Sequence, residues 1–406
     1  MLAMPAMVLV VLLLATSAAH GDEAGPLLPN LLRSGAPQPT SRRVVQDEVV
    51  EESEAENSTV RFATLQTAVT AYAVPDKAAE PAAAPLGEAV IPGAADAMAL
   101  AESGGEPCVA GCGHELWIVS TRGLADAECG CELPPFTPCV ERYICGSGWV
   151  VSSLEDLVAD QGGTQSTAVF VHGNDTDADE AKALGKRLYD QLLATRCPVP
   201  ATRLVVWSWP SERVLRRRRP DVQVKACRTN VEGYYLAQFL DQLPGETHAS
   251  LGGFSYGARV VTGGLHLLGG GTLAGRQLAD HQHPDRRATS TILLGAAMNN
   301  DWLLPGRRHE RALSQVDRMV ILTNPADGVL HFYPYLWGRG GTEALGVTGI
   351  PGAGRLGPDV AKVEQINVRP ELHCRHGWQY YTGSPTVMSL VRRELVYLPA
   401  AGTVEK

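Results

Sequence analysis

Chemistry is first written into spacing at Gly253-Phe254-Ser255-Tyr256-Gly257, a serine with glycines two positions to either side. The run LGGFSYG is strand-like and ARVVTGGLHLL after it reads as helical, so Ser255 falls on a strand–turn–helix corner. Such a corner exposes the hydroxyl and sets the N–H groups of the new helix beside it, and the glycines leave room for neighbouring backbone. A serine hydroxyl becomes a nucleophile only when a base takes its proton, and the base needs an acid to orient it. The order that suits this corner is Ser, then Asp or Glu, then His. Asp327 closes the strand-like run RMVILTNPAD and is the expected acid, although Pro-Ala-Asp-Gly is also good turn chemistry. Asp301, after TILLGAAMNN, is the other acid. His376 is the expected base, because Gly377 and Trp378 mark a tight, partly buried loop; His373, three residues earlier, stays open. His331 follows the acid's own strand too soon.

A tetrahedral intermediate also needs donors for its oxyanion. One is the backbone N–H after the nucleophile, at Tyr256, and the second comes from a loop after an early strand. Phe170-Val171-His172-Gly173-Asn174 ends such a strand, so Asn174 or Gly173 supplies that N–H. His172 is read as shaping this loop rather than transferring protons.

The elements that must hold these residues are legible from Glu115 onward. ELWIVST, STAVFVHG, RLVVWSWP, ASLGGFSYG, TSTILLGAA, RMVILTNPAD and KVEQINV are short apolar runs bounded by turn residues, as in strands buried on both faces of a parallel sheet. Helical segments alternate with them. In DTDADEAKALGKRLYDQLLATR, Ala181, Leu184, Leu188 and Leu192 share a face, with Asp177, Asp179 and Glu180 expected in the first turn and Arg196 in the last. VKACRTNVEGYYLAQFLDQL groups Leu236, Phe239, Leu240 and Leu243. This alternation predicts an α/β, doubly wound, mostly parallel sheet, with ligands bound beyond the carboxyl ends of its strands.

Taken in order, FVHGN (170–174), VVWSWPS (205–211), GGFSYGARVVTG (252–263), NPAD (324–327) and HGWQYY (376–381) resemble the α/β-hydrolase superfamily, most closely exported bacterial members with no assigned substrate. The resemblance spans roughly residues 115–397. It implies an eight-stranded-type sheet, a Ser-His-Asp triad and no cofactor, and it implies no substrate.

The rest of the chain bounds the setting. Residues 1–21, MLAMPAMVLVVLLLATSAAHG, read as a secretory signal peptide with small residues at the cleavage positions, though no Lys or Arg precedes the apolar core. An uncleaved anchor is the alternative, but a span needs about 20 apolar residues and Thr16 breaks this one early. The expected location is therefore periplasmic or extracellular, with no stable membrane insertion after cleavage. Residues 22–107 are rich in Ala, Pro and Glu, with an acidic run from Asp47 to Glu56, and read as a disordered linker. Residues 108–150 are Cys-rich and lead into the first strands, and 151–406 form the hydrolase domain. Six of nine cysteines lie between Cys108 and Cys145, which in an oxidising compartment reads as a disulfide framework rather than a zinc site, since paired C-x2-C knuckles are missing. Cys197 with Cys227 is a further pair, leaving Cys374 as a thiol near the proposed site. The net charge of −9 argues against a nucleic-acid partner. No metal site is expected, and the sequence leaves the oligomeric state open.

Two stretches are not absorbed by the triad. Arg213 and Arg216 to Arg219 make a basic run, read either as a solvated loop before a helix or as an attractor of an anionic substrate, a phospholipid head group or an acidic polymer. Residues 328–360 are Gly-rich and aromatic, and Phe332, Tyr333, Tyr335 and Trp337 either line an acyl or aromatic pocket or pack on the sheet edge. The expected activity is hydrolysis of a small-molecule or lipid ester. An acyltransferase with the same residues, and a binding module with no reactive serine, are the alternatives.

Overall fold

The structure, a computed structural model, describes residues 113–124, 133–159, 166–193, 201–244, 247–278, 288–337 and 341–396. The signal-like stretch, the linker, Cys108, Cys112, Cys129, Cys131, Cys197 and Arg196 lie outside the described residues.

Nine strands among the described residues build one sheet: β1 Glu115–Ser120, β2 Cys139–Ile144, β3 Gly148–Ser152, β4 Ser166–Val171, β5 Thr202–Ser208, β6 His248–Phe254, β7 Ala288–Leu294, β8 Val316–Thr323 and β9 Val363–Asn367. Their order is β3-β2-β1-β5-β4-β6-β7-β8-β9. Every neighbouring pair from β1–β5 to β8–β9 is parallel, and β1, β2 and β3 meander antiparallel at one edge. All seven apolar runs of the sequence are strands. CVERYI and GWVVS were not among them, because β2 and β3 are only partly buried and lack a continuous apolar run. They bring the sheet to nine strands instead of the eight-stranded type that the resemblance implies.

Among the described residues, four helices of eleven residues or more cover the sheet: α1 Ala178–Leu192, α2 Arg218–Gln242, α3 Gly257–Leu268 and α4 Pro385–Leu395. Strand side chains alternate between two apolar layers. Trp117, Val119, Val169, Val171, Val205 and Trp207 pack under α2 and α3. Leu116, Ile118, Ala168, Phe170, Leu204 and Val206 pack under α1 and α4. Because both faces are covered, the central strands carry apolar residues at successive positions. α1 opens with a capping box: the Asp177 side chain accepts from the Glu180 N–H at 2.8 Å and Glu180 accepts from the Asp177 N–H at 2.9 Å. Asp177 is thus the cap and not part of the first turn. α2 starts at Arg218, six residues before the apolar pattern, so the end of the basic run forms its first turn.

The winding fixes where a site belongs. The chain passes from β4 to β5 on one side, and β6 then pairs with the other side of β4. The crevice at the carboxyl ends of β4 and β6 is therefore the switch point, where open α/β sheets bind ligands. Val171 pairs with Gly253 across it, so the residues that follow each strand emerge side by side.

Candidate active site

Ser255 follows β6 with φ at 53°, a left-handed conformation that costs a non-glycine residue roughly 1–2 kcal/mol. Three hydrogen bonds hold the corner. The Ser255 N–H donates to Leu294 O at 2.9 Å, and its carbonyl accepts from the Ala258 N–H at 3.1 Å and the Ala297 N–H at 3.2 Å. The flanking glycines are needed for space: a Cβ on Gly253 would lie 2.7 Å from Gly257 O, and one on Gly257 would lie 2.2 Å from Val171 O. The helix α3 that begins at Gly257 keeps the turn rigid.

Two more loops deliver the other groups. The Asp327 side chain is fully buried after β8, and its Oδ1 accepts from the N–H groups of Val329 and Leu330 at 2.9 Å each. Its Oδ2 lies 2.7 Å from His376 Nδ1. His376 comes from the loop after β9, and its Nε2 lies 3.1 Å from Ser255 Oγ. The Phe254 ring packs on the imidazole with centroids 5.2 Å apart. Ser255 is 5% exposed, and the His376 and Asp327 side chains 11% and 0%, so the three groups are largely shielded from bulk water.

The other candidates are placed elsewhere. Asp301 forms an ion pair with Arg307 at 3.3 Å. His373 is exposed, and its backbone at φ 52° turns its carbonyl toward Asn324, whose Nδ2 donates to it at 2.9 Å. His331 is exposed, with its Nε2 2.9 Å from Pro325 O. Tyr333 is buried, its hydroxyl donating to Asn299 Oδ1 at 2.9 Å, whereas Phe332 and Tyr335 are exposed; the Trp337 side chain lies outside the described residues. The aromatic insertion is therefore split between packing and surface. Cys374 is a free, exposed thiol two residues before His376, as is Cys139 on β2, while Cys145 and Cys227 are disulfide-bonded.

The loop after β4 is built around a neutral histidine. The Trp209 N–H donates to His172 Nε2 at 3.2 Å, so the ring proton is on Nδ1, which donates to Gly173 O at 2.9 Å. Burial pushes the pKa of His172 down to about 3, which keeps the ring uncharged. The carbonyl of Gly173 is thereby turned onto His172, and in a trans peptide the Asn174 N–H faces the opposite way. Neither that N–H nor the Tyr256 N–H has an acceptor among the described residues. Gly173 is pressed against the nucleophile: a Cβ there would lie 2.9 Å from the Phe254 ring and 3.1 Å from Ser255 Cβ.

Charged tethers that sequence reasoning missed hold the far side of this loop. Lys225 of α2 is fully buried, and its Nζ meets Asp175 Oδ1 at 2.6 Å and Asp221 Oδ2 at 2.8 Å. Burial pushes the Asp221 carboxyl up, but hydrogen bonds from Lys225 and from the N–H groups of Leu215 and Val214 outweigh it and leave the pKa below its ordinary value. Arg122 donates to Thr176 O at 2.9 Å and to Ser208 Oγ at 2.9 Å, and pairs with Glu212. Only the Asp221–Lys225 spacing of four was a sequence signal; Lys225 and Asp175 are 50 residues apart.

No family model and no curated protein matches the sequence. Among solved structures, the chain is similar to acyl-protein thioesterase 2 of Zea mays, at 14% identity and TM-score 0.31, over 58% of this chain and 94% of that one. It is also similar to an inhibited esterase B from Lactobacillus rhamnosis, at 12% identity and TM-score 0.32, over 74% and 91%. An acetylxylan esterase matches at 14% identity and TM-score 0.30, over 57% and 99%. The assignment of fold stands on the topology instead: a mostly parallel, doubly wound sheet, a serine on a left-handed strand-to-helix turn, and an acid and a histidine following it in that order. On those grounds the chain has an α/β-hydrolase-type fold.

Proposed function

We propose that this chain is a serine hydrolase that cleaves a carboxylic ester, or a related acyl bond, through an acyl-enzyme. The observation that carries the reading is the continuous hydrogen-bonded series from Asp327 through His376 to Ser255 Oγ at the switch point of the sheet. In the proposed reaction Ser255 Oγ attacks the carbonyl carbon as its proton passes to His376 Nε2. Asp327 holds Nδ1–H, which fixes the tautomer and stabilises the imidazolium. The N–H groups of Tyr256 and Asn174 receive the developing oxyanion. His376 then returns the proton to the leaving alcohol, and water, activated by the same imidazole, releases the acid. No step calls for a cofactor.

We further propose that the protein works after export, in an oxidising compartment. Disulfides at Cys145 and Cys227 support that reading.

A fluorophosphonate probe tests the reaction. It should label Ser255 in the native chain and leave Ser255→Ala unlabelled, with p-nitrophenyl acetate hydrolysis lost in the same variant. Equal hydrolysis by both proteins would remove Ser255 from the reaction, and a native chain that takes no label and hydrolyses no ester would return the fold to the role of a binding module.

A further inference from the structure

The arginines of the basic run do not stand alone. Residues 213–219 read RVLRRRR, and all seven are exposed. Arg216, Arg217 and Arg218 make no ion pair among the described residues, in a chain whose net charge is −9. A run that was merely solvated would be polar throughout, but this one carries Val214 and Leu215, 45% and 40% exposed. Beside it lies the aromatic insertion. Arg219 Nε and Gln223 Nε2, both on α2, donate to Leu336 O at 3.0 and 2.9 Å. That clamp ties to α2 the segment that carries Tyr335, 64% exposed, and Phe332, 54% exposed. Large exposed apolar side chains clustered with unpaired cations are the composition of a surface that dips into a bilayer interface while its charges meet anionic head groups.

The segments that carry this face are tied to the candidate site. Asp327 Oδ1 anchors Val329 and Leu330, where the aromatic insertion starts. Tyr256 follows the nucleophile in sequence, and its hydroxyl donates to Val222 O on α2 at 3.3 Å. Charges are felt over only about 8–10 Å at physiological salt, so a bilayer in contact with this face would respond to the charges of that face rather than to the net charge of the chain.

We propose that this arginine–aromatic face seats the protein on an anionic lipid surface, and that the ester taken by Ser255 is one held in that surface. The second clause rests on the hydrolase reading above; the seating does not. The test is sedimentation of the full chain with phosphatidylcholine vesicles, with and without phosphatidylglycerol, using wild type and Ser255→Ala in parallel. Both proteins should bind only the vesicles that contain phosphatidylglycerol and should come off at high salt. The triple variant Arg216→Gln, Arg217→Gln, Arg218→Gln should partition roughly 100-fold less, about five-fold per charge. Phe332→Ser with Tyr335→Ser should also weaken binding. Unchanged midpoints of urea unfolding show that these variants are folded. Absence of binding, equal binding to both vesicle types, or full binding by the triple variant overturns the seating. Binding to polyglutamate but not to vesicles would overturn it too, and would assign the face to an acidic polypeptide such as the Asp47–Glu56 run of this chain. Vesicle binding by a protein that hydrolyses no ester would instead sink the hydrolase reading and leave the seating intact.

Discussion

Replacing Asp327 by Asn should disable the site while leaving it standing. The two carboxylate oxygens do different things. Oδ1 accepts two backbone N–H groups, from Val329 and Leu330, and Oδ2 faces His376 Nδ1 at 2.7 Å. An asparagine has only one orientation that fits. Its oxygen must stay with the two backbone donors, because turning the NH2 group onto them would set donor against donor in a fully buried position. The NH2 group then points at His376 Nδ1 and donates to it. Nδ1 becomes an acceptor, the ring proton moves to Nε2, and Nε2–H faces Ser255 Oγ where a lone pair is needed.

The expected loss in kcat is therefore that of a wrong tautomer, roughly 10³–10⁴-fold, or about 4–5 kcal/mol in the barrier. KM should change little, because no substrate contact is touched. Stability should fall by no more than about 1 kcal/mol, since both backbone donors keep their acceptor. Asp327→Ala makes the contrast: it takes the acceptor from the N–H groups of Val329 and of buried Leu330, at about 1–3 kcal/mol for the buried one, and should lower the unfolding midpoint as well as kcat. The assay is steady-state hydrolysis of p-nitrophenyl acetate beside urea unfolding, for wild type and the two variants. An Asp327→Asn protein within tenfold of wild-type kcat, with unchanged stability, would refute the argument that Asp327 sets the tautomer of His376.

Lys225→Met leaves Asp221 charged, buried and without its cation, at about 3–5 kcal/mol, and frees Asp175; urea unfolding should show the loss, and adding Asp221→Asn should recover most of it. If the double variant is no more stable than the single one, the pair is not what Lys225 serves. Glu232 is another buried acid: burial, only partly offset by hydrogen bonds from Trp207 and Thr121, raises its pKa from 4.5 to about 7. A raised acid pKa gives stability that is present below about pH 4.5 and is lost as pH climbs through 7, here on the order of 3 kcal/mol, so Glu232→Gln should flatten the decline between pH 5 and 8; identical pH slopes would exonerate Glu232. Gly173→Ala forces a methyl against Ser255 Cβ and the Phe254 ring, and should cut kcat more than tenfold with little change in KM; a variant with wild-type kcat would show that the loop yields freely.

The sheet was legible because two buried faces give its central strands runs of apolar residues at successive positions. The half-exposed β2 and β3 carry Glu141, Arg142 and exposed Val151, and this mixture hid them. α2 was read six residues short for a similar reason: its first turn is Arg218, Arg219 and Pro220, which follow no apolar periodicity, although proline is tolerated where the N–H groups have no helical partner. The triad candidates were legible because each follows a strand, and parallel strands bring such positions to one edge. Choosing between His373 and His376 was different. Both lie in one loop, and what separates them is a left-handed backbone at His373 that leaves its side chain exposed and away from Ser255. Spacing carries no trace of that.

Least legible of all was the apparatus around Asn174, although its logic is simple. A backbone donor lowers a barrier only when it does not reorganise as charge develops. At Tyr256 the start of α3 supplies that rigidity, but Asn174 sits in an open loop after β4. Its neighbours are fixed one by one. His172 Nδ1 donates to Gly173 O. The Asp175 N–H donates to Ser211 O, and the Asp175 side chain meets Lys225. The Thr176 N–H donates to Ser211 Oγ, and the Thr176 carbonyl accepts from Arg122. These partners come from β5's exit, from α2 and from the residues just after β1, at separations in sequence that no local pattern records. With the residues on both sides of it tied down, the Asn174 N–H is left without an acceptor among the described residues, which is what the proposed oxyanion donor must be before it can favour a transition state over a substrate.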